Sequence, residues 1–349
     1  MRLADDPESP HTHSVPNTCV GKSERQSFVN SNTWQNLFLT ALKWRQEKEQ
    51  RLVGVDEIGR LFAGKSDGLE GVLVDAFGPL VVLTIYNPGL ASHAPELLSQ
   101  LKHCLPGDRF VLGKVRSAAG GFDFLDPDNV LGRSWTARED DCLFEVRADD
   151  KNDFGLFPDA RPARLALRGI LKPDSHVLNL FSYTCGFSVV ACRSGARAAT
   201  NVDASAEMLT WGKRNASLNA VDFAVVPEMA QKYLLRLERR VSEGKITCPD
   251  VWVCDPPAFG VGRGQQRILK HFWTDFWGFV ERLEPRAVLV LRNDRTGHRQ
   301  KDTFAAEVEE NFRGRFEILP VGFAQSPSLC YEGTDAYYKV NESLILLRR

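Results

Sequence analysis

The chain has 349 residues, 43% of them hydrophobic, enough for two domains with cores of their own and too many for one ordinary core. Its 44 Lys plus Arg against 45 Asp plus Glu give a formal net charge of -1, which excludes a global positive field drawing it onto nucleic acid; any such face must be local. The eight cysteines show no CxxC pair or His-rich ligand spacing, so no metal site is expected and a reducing compartment fits.

In chain order, the opening MRLADDPESPHTHSVPNTC lacks an apolar segment, and no later run approaches the roughly 18 apolar residues of a membrane span. A soluble, unexported, cytoplasmic chain is expected. Residues 1–30 are rich in Pro, Ser, Asp, Asn and His without hydrophobic periodicity and read as a disordered tail. Asn32 is expected to cap a helix carrying Trp34, Leu37, Phe38, Ala41 and Leu42 on one face, with Gln35 placed for a capping box. The run at 72–74 and the run from Val81 to Tyr86, parted by Phe77-Gly78-Pro79, predict a hairpin. A helix around Pro95 to His103 and a strand from Phe110 to Leu112 complete a small α/β domain. The segment from Arg116 to Arg133 contains Gly, Asp and Pro and reads as a loop or linker.

From Val177 onward, short apolar runs alternate with helical patterns: Val177 to Leu180, Ala198 to Val202, Val251 to Cys254 and Ala287 to Leu291. Strands alternating with helices predict βαβ units and a doubly wound, mostly parallel sheet. The last two runs, Phe316 to Val321 and Leu344 to Leu347, are expected to form an antiparallel pair at the sheet edge. The predicted organisation is a tail at 1–30, a small α/β domain at 31–135 and the doubly wound domain at 136–349.

Ligands of open α/β sheets bind beyond the carboxyl ends of the strands, at the switch point of strand order. The first strand of the second domain leads through Asn179, Leu180, Phe181, Ser182, Tyr183, Thr184, Cys185 and Gly186 into a helix, a turn whose small residues let the backbone approach a ligand. It lacks the GxGxxG of a dinucleotide site. The second strand ends in Asp203, at the distance where a carboxylate meets a ribose diol, and Ser205 then caps the following helix. Without a phosphate loop, that pattern suits an adenosine-type cofactor carrying no pyrophosphate. The competing reading of Asp203 is a carboxylate complementing a helix N-terminus. After the next buried strand comes Asp255-Pro256-Pro257-Ala258-Phe259. Two prolines fix φ, remove two N–H donors and hold carbonyls outward as acceptors. A flat nitrogenous acceptor can bond there and to Asp255 while stacking on Phe259. The competing reading is a strand-terminating turn.

These loops resemble the bacterial large-subunit ribosomal RNA methyltransferases, a family that includes cytosine-C5 and guanine-N7 enzymes and uses S-adenosylmethionine on a Rossmann-like class I fold. The matching runs are Asp153-Phe154-Gly155-Leu156-Phe157-Pro158-Asp159-Ala160-Arg161, the run from Leu178 to Thr184, Val202-Asp203-Ala204-Ser205, Arg214-Asn215 to Asn219, and Asp255 to Phe259. A weaker echo, Asp67-Gly68-Leu69-Glu70-Gly71 to Val74-Asp75, resembles the small domain that precedes the catalytic one. The resemblance implies that Asn179, Phe181, Ser182, Tyr183, Thr184 and Gly186 lie at the methionine end of the cofactor, with Asp203 and Ser205 at its ribose. It further implies that Gly155, Asp159 and Arg161 close over the cofactor, and that Asp255, Pro256, Pro257 and Phe259 meet the target base, with Asp255 also bordering the cofactor. Cys185 stands where the family usually has Gly. Met229, preceded by Glu228, stands where it usually has the Asp that binds the adenine amino group, so Glu228 takes that role. No counterpart of the family's RNA-binding PUA domain is expected within these residues, since a tail of about thirty residues is too short to form one.

Methylating carbon-5 of a pyrimidine requires a Cys thiolate added to the ring, which relatives carry in the loop after the fifth strand. Here that loop, Leu291 to Arg299, has no Cys, and Cys254 alternates into its strand as a buried thiol. Guanine N7 already presents an in-plane lone pair, for which positioning and electrostatics suffice. A ring-nitrogen acceptor without a covalent Cys intermediate is therefore expected, with His298 as a candidate proton acceptor or a plain loop residue. Arg263, Arg267 and Lys270 follow the acceptor loop and are expected on RNA phosphates. Arg161, Arg164 and Arg168 share a helical face of the kind that is usually solvated. The alternatives are a methyltransferase of the same fold acting on a small molecule or a protein, a cytosine-C5 ribosomal RNA enzyme, and a degenerate RNA-binding module without catalysis.

Overall fold

A computed structural model describes residues 31–49, 54–119, 121–149, 154–257, 263–292, 303–312, 314–321 and 342–349. The expected tail at 1–30, Phe259 and His298 lie outside the described residues, as do the side chains of Arg263, Arg267 and Lys270.

The first unit comprises α1 (Ser31–Glu49), β1 (Ile58–Ala63), β2 (Val72–Phe77), β3 (Leu80–Ile85), α2 (Ala94–Cys104), β4 (Phe110–Arg116) and β5 (Phe122–Leu125). Its five strands pair in sequence order, antiparallel except β3 with β4, which α2 joins as a crossover. Period-two alternation sends Val81, Leu83 and Ile85 under α1 and α2, while Leu80 and Val82 face the second unit. Both faces are covered, which is why every residue of β3 is buried. The helix begins one residue before the expected cap, and the Gln35 N–H donates to the Gln100 side chain of α2 at 3.1 Å; a tertiary contact satisfies that first-turn donor. The segment read as a linker carries β5, paired antiparallel to β4, and the Asp126 carboxylate accepts from the N–H groups of Val130 and Leu131.

A two-stranded ribbon follows, β6 (Ser134–Glu139) with β7 (Cys142–Arg147). The expected boundary at 135 falls inside β6 because the ribbon belongs to both units. Arg138 reaches Asp56 at 3.2 Å and Glu57 at 2.9 Å in the first unit, whereas Cys142, Phe144 and Val146 share the core of the second. The outward edge of β7 is closed by a helix of the second unit, α5 (Ala206–Leu218). Trp211 Nε1 donates to the Glu145 carbonyl at 3.2 Å, Asn215 Oδ1 accepts from the Glu145 N–H at 2.9 Å, and Asn219 brackets both backbone groups of Leu143 at 2.8 and 2.6 Å. Residues 211, 215 and 219 lie four apart on one helical face, so the helix side chains do what a third strand would.

The second unit runs α3 (Arg161–Ile170), β8 (His176–Leu180), α4 (Gly186–Arg193), β9 (Ala198–Asp203), α5, β10 (Ala224–Pro227), α6 (Ala230–Ser242), β11 (Val251–Cys254), α7 (Arg263–Leu283), β12 (Ala287–Arg292), α8 (Thr303–Phe312), β13 (Phe316–Pro320) and β14 (Glu342–Arg348). The sheet order is β10-β9-β8-β11-β12-β14-β13, parallel from β10 to β12, with β14 antiparallel to both its neighbours. The doubly wound sheet and its antiparallel pair are as expected. Strand order reverses between β8 and β11, so the carboxyl ends of those two strands frame the crevice. Phe276, Trp277 and Val280 of α7 are buried in the core beneath. Among the described residues, no helix is long and apolar enough to cross a membrane.

Candidate active site at the switch point

The turn after β8 gathers three left-handed, side-chain-bearing residues within five positions. Phe181, Tyr183 and Cys185 have φ of 56°, 48° and 64°, left-handed values that cost side-chain-bearing residues energy and persist only where surroundings enforce them. Four hydrogen bonds enforce them. The N–H of Ser182 donates to the Val202 carbonyl at 3.1 Å and that of Cys185 to the Ser182 carbonyl at 2.7 Å. Thr184 Oγ1 donates to the Gly155 carbonyl at 2.5 Å, and the Gly155 N–H donates to Tyr183 Oη at 3.2 Å. Gly155 itself has φ +104°, and a Cβ there would lie 2.6 Å from both the Glu145 carbonyl and the Trp211 ring. No other residue fits that crossing.

Asp203 sits half-buried at the end of β9 with both carboxylate oxygens oriented by backbone. Oδ2 accepts from the Tyr183 N–H at 2.9 Å and Oδ1 from the Ser205 N–H at 2.8 Å, which leaves further lone pairs on each oxygen for outside donors. The Ser205 hydroxyl caps α5 through the Met208 N–H at 3.3 Å. Glu228, after β10, donates its N–H to the Asp203 carbonyl at 2.9 Å and holds Arg236 at 2.7 Å. Beside it the apolar Met229 side chain is 62% exposed among the described residues. Asn179 and Thr184 are fully buried and Ser182 nearly so. The Asn179 amide donates to Ser188 and Asn201, so it lies beneath the turn rather than on its surface.

The segment before β8 is pinned from below. Arg164 of α3 makes a two-pronged bond to Glu139 at 2.6 and 2.7 Å, with side-chain exposures of 3% and 2%, and also donates to the Phe157 carbonyl at 2.9 Å. Arg161 pairs with Asp140 at 2.6 Å and Arg168 with Asp141. The arginine row expected to be solvated is thus matched acid for base by three consecutive carboxylates at the ribbon turn. Phe157 and Tyr183 meet ring to ring at 5.3 Å above them. Asp159 is half-buried in the same turn.

Across the crevice, Asp255 is half-buried, Pro256 buried and Pro257 exposed, and Phe272 of α7 meets Phe181 edge-on at 5.1 Å. Cys254 is fully buried, and burial pushes its thiol well above the ordinary range.

The Cys185 side chain has a compensating partner that a single sequence does not reveal. It is fully buried, and desolvation pushes its thiol up to about 12. A Cβ on Gly212 of α5 would lie 2.3 Å from Cys185 Sγ, so the sulfur fills the space that glycine leaves. Gly212→Ala is expected to destabilise the chain by about 1–3 kcal/mol, as overpacking does, and Cys185→Gly in the same protein should recover part of that loss. Calorimetric unfolding of the two single variants and the double variant checks this; additive losses would refute the pairing.

The sequence model of the S-adenosylmethionine-dependent methyltransferase family matches residues 107–290, more than half of the chain. The chain is similar to ribosomal RNA large subunit methyltransferase I of Klebsiella pneumoniae, 30% identical over 250 residues, covering 69% of this chain and 60% of that protein. It is similar to the protein of the same name from Pseudoalteromonas translucida, 31% identical over 267 residues, covering 72% and 64%. The chain therefore spans about three fifths of the length of the relatives it matches. In fold it is similar to a SAM-dependent methyltransferase from Streptococcus mutans, with a TM-score of 0.74 at 19% identity over 93% of this chain and 83% of that one.

Proposed function

The chain belongs to the S-adenosylmethionine-dependent methyltransferases, and on that premise we propose that it methylates a base of RNA, with large-subunit ribosomal RNA as the acceptor class and guanine N7 as the acceptor atom. The observation that carries the reading is Asp203, a carboxylate oriented by two backbone N–H groups at the end of β9 and beside the left-handed turn. The residues present fit the cofactor. A carboxylate with spare lone pairs suits a ribose diol, and the open N–H groups at the start of α4 suit a carboxylate. The exposed Met229 side chain would suit a purine face, and Glu228 beside it is the carboxylate proposed for the purine amino group. Gly155, Asp159 and Arg161 belong to the segment that closes over these groups; Phe181, Ser182, Tyr183, Thr184 and Gly186 form the turn against which the methionine end rests, and Asn179 supports them from beneath.

When bound, S-adenosylmethionine supplies an electrophilic methyl carbon on a sulfonium. The chain's own residues position the acceptor. Asp255 orients the base by accepting its hydrogen bonds, Pro256 and Pro257 hold the neighbouring carbonyls outward, and Phe259 stacks on the extruded ring. Arg263, Arg267 and Lys270 hold phosphates beside the crevice. The buried, neutral Cys254 supports a route without a covalent thiol adduct. The likeness to ribosomal RNA large subunit methyltransferase I of two bacteria supports ribosomal RNA as the acceptor.

A second reading, a small-molecule or protein acceptor, is favoured by the acid-for-base pairing of α3, which gives that helix little charge to offer a phosphate. The non-catalytic reading, prompted by the residues at Cys185 and Met229, loses the first of those motives, because the Cys185 sulfur fills the space that Gly212 leaves.

Calorimetric titration with S-adenosylhomocysteine is expected to show micromolar binding that Asp203→Ala weakens by ~10²-fold or more, the cost of losing a hydrogen-bonded charged group from a site. Unchanged affinity in the variant would remove the carboxylate from the site. Transfer of labelled methyl to RNA, read beside transfer to protein and small-molecule fractions, then separates the acceptor classes.

A further inference from the structure

The turn after β8 receives support from an element that no ligand needs to touch. Asn215 of α5 is fully buried. Its Oδ1 accepts from the Glu145 N–H at 2.9 Å, and its Nδ2 donates to the Thr184 carbonyl at 3.0 Å. Thr184 lies between two of the three left-handed residues, Tyr183 and Cys185. One amide thus ties the middle of the turn to the ribbon edge. The neighbouring Asn219 bonds the same edge, at Leu143 and not at the turn. Asn215 therefore has the ribbon role of Asn219 and a second bond that Asn219 lacks.

A turn held in left-handed conformations relaxes when a restraint is lost, and a buried carbonyl left without its donor costs more than the net worth of the bond. We propose that Asn215 is a positioning residue for the cofactor site, its amide N–H fixing the Thr184 carbonyl and with it the Tyr183 N–H that orients Asp203. The inference rests on the reading of that site given above. Asn215 touches neither cofactor nor acceptor; it acts through the turn.

The test compares Asn215→Asp with Asn219→Ala. Asn215→Asp keeps an acceptor for the Glu145 N–H and replaces the donor facing Thr184 by an oxygen. Asn219→Ala removes the ribbon bonds at Leu143 and the 2.7 Å bond to the Asn215 carbonyl, and leaves the Asn215 side chain with both of its own bonds. Both are expected to lower the unfolding temperature. Asn215→Asp is expected to weaken S-adenosylhomocysteine binding about tenfold, in line with loss of one buried hydrogen bond, and to raise the KM for S-adenosylmethionine without raising that for the acceptor. Asn219→Ala is expected to leave affinity within twofold. Amide exchange at 183–187 should quicken in Asn215→Asp alone. Equal effects of the two variants on affinity and exchange, or no effect of Asn215→Asp on either, would overturn the proposal. If the unaltered protein binds no S-adenosylhomocysteine, the functional reading fails and the exchange comparison still decides the positioning role. If Asn215→Asp does not fold, exchange in the unaltered protein decides: the Glu145 amide opening together with 183–187 supports the tie, and independent opening refutes it.

Discussion

An Asp255→Ala protein is expected to bind S-adenosylhomocysteine within a few-fold of the unaltered chain and to lose methyl transfer by at least ~10²-fold, the scale on which one oriented polar group at a reacting centre matters. The two halves of the expectation come from topology. Asp255 leaves β11, on the far side of the switch point from Asp203, which leaves β9 two strands away. The groups proposed for the cofactor cluster on β8, β9 and β10, whereas Asp255 shares its side of the crevice with Pro256, Pro257 and the start of α7. On the proposed function a carboxylate there meets the acceptor, and its loss is expected to remove the bond that holds the acceptor in line. Single-turnover transfer beside calorimetric binding reads the two effects separately. Equal turnover in variant and parent would remove Asp255 from the reaction; a parallel collapse of cofactor affinity would place it in the cofactor site.

Replacing Arg164 by methionine is expected to lower the stability of the fold by about 3–5 kcal/mol, because it strands a buried carboxylate at Glu139 without its partner. Methionine keeps much of the volume, so the loss measures charge and hydrogen bonding rather than a cavity. The same substitution frees the Phe157 carbonyl and so releases the segment that carries Gly155 and Asp159. The paired variant Arg164→Met with Glu139→Gln should recover most of the stability, since no buried charge then remains. Denaturant unfolding of the singles and the pair decides the matter; a single-variant loss under about 1 kcal/mol, the scale of an exposed pair, would show that the bond is not holding the segment.

The same pair marks the limit of what one sequence shows. Strands β8, β9, β11 and β12 were legible because both faces of a parallel sheet are covered, which leaves uninterrupted apolar runs such as Val251 to Cys254. Asp203 and the turn after β8 were legible because they sit at fixed offsets from those runs. Strand β1 was not, because Arg60 interrupts it. That arginine is buried against Asp75 at 2.8 Å, and a charge satisfied by a partner 15 residues away carries no local signal. Arg164 misled in the same manner. The ribbon did carry a signal: Cys142, Phe144 and Val146 alternate with Leu143, Glu145 and Arg147, the period of a half-covered strand. Strand β10 is only four residues long and half exposed, too short to register. The fit of Cys185 against Gly212 joins positions 27 apart in sequence, and only the fold brings them together.

The helix that serves β7 as a third strand has a consequence for the chain's behaviour in a crowded solution. An open strand edge is a template for pairing with other chains, and proteins blunt such edges with charges, bulges or covering elements. Here the outward groups of Leu143 and Glu145 are occupied by side chains, and the Arg147 N–H donates to the Phe154 carbonyl at 3.4 Å. A two-stranded ribbon on its own would be a weak and sticky element. Sealed by Trp211, Asn215 and Asn219, it has no edge left on that side to recruit a neighbour, so the protection against strand-to-strand aggregation is built into a helix.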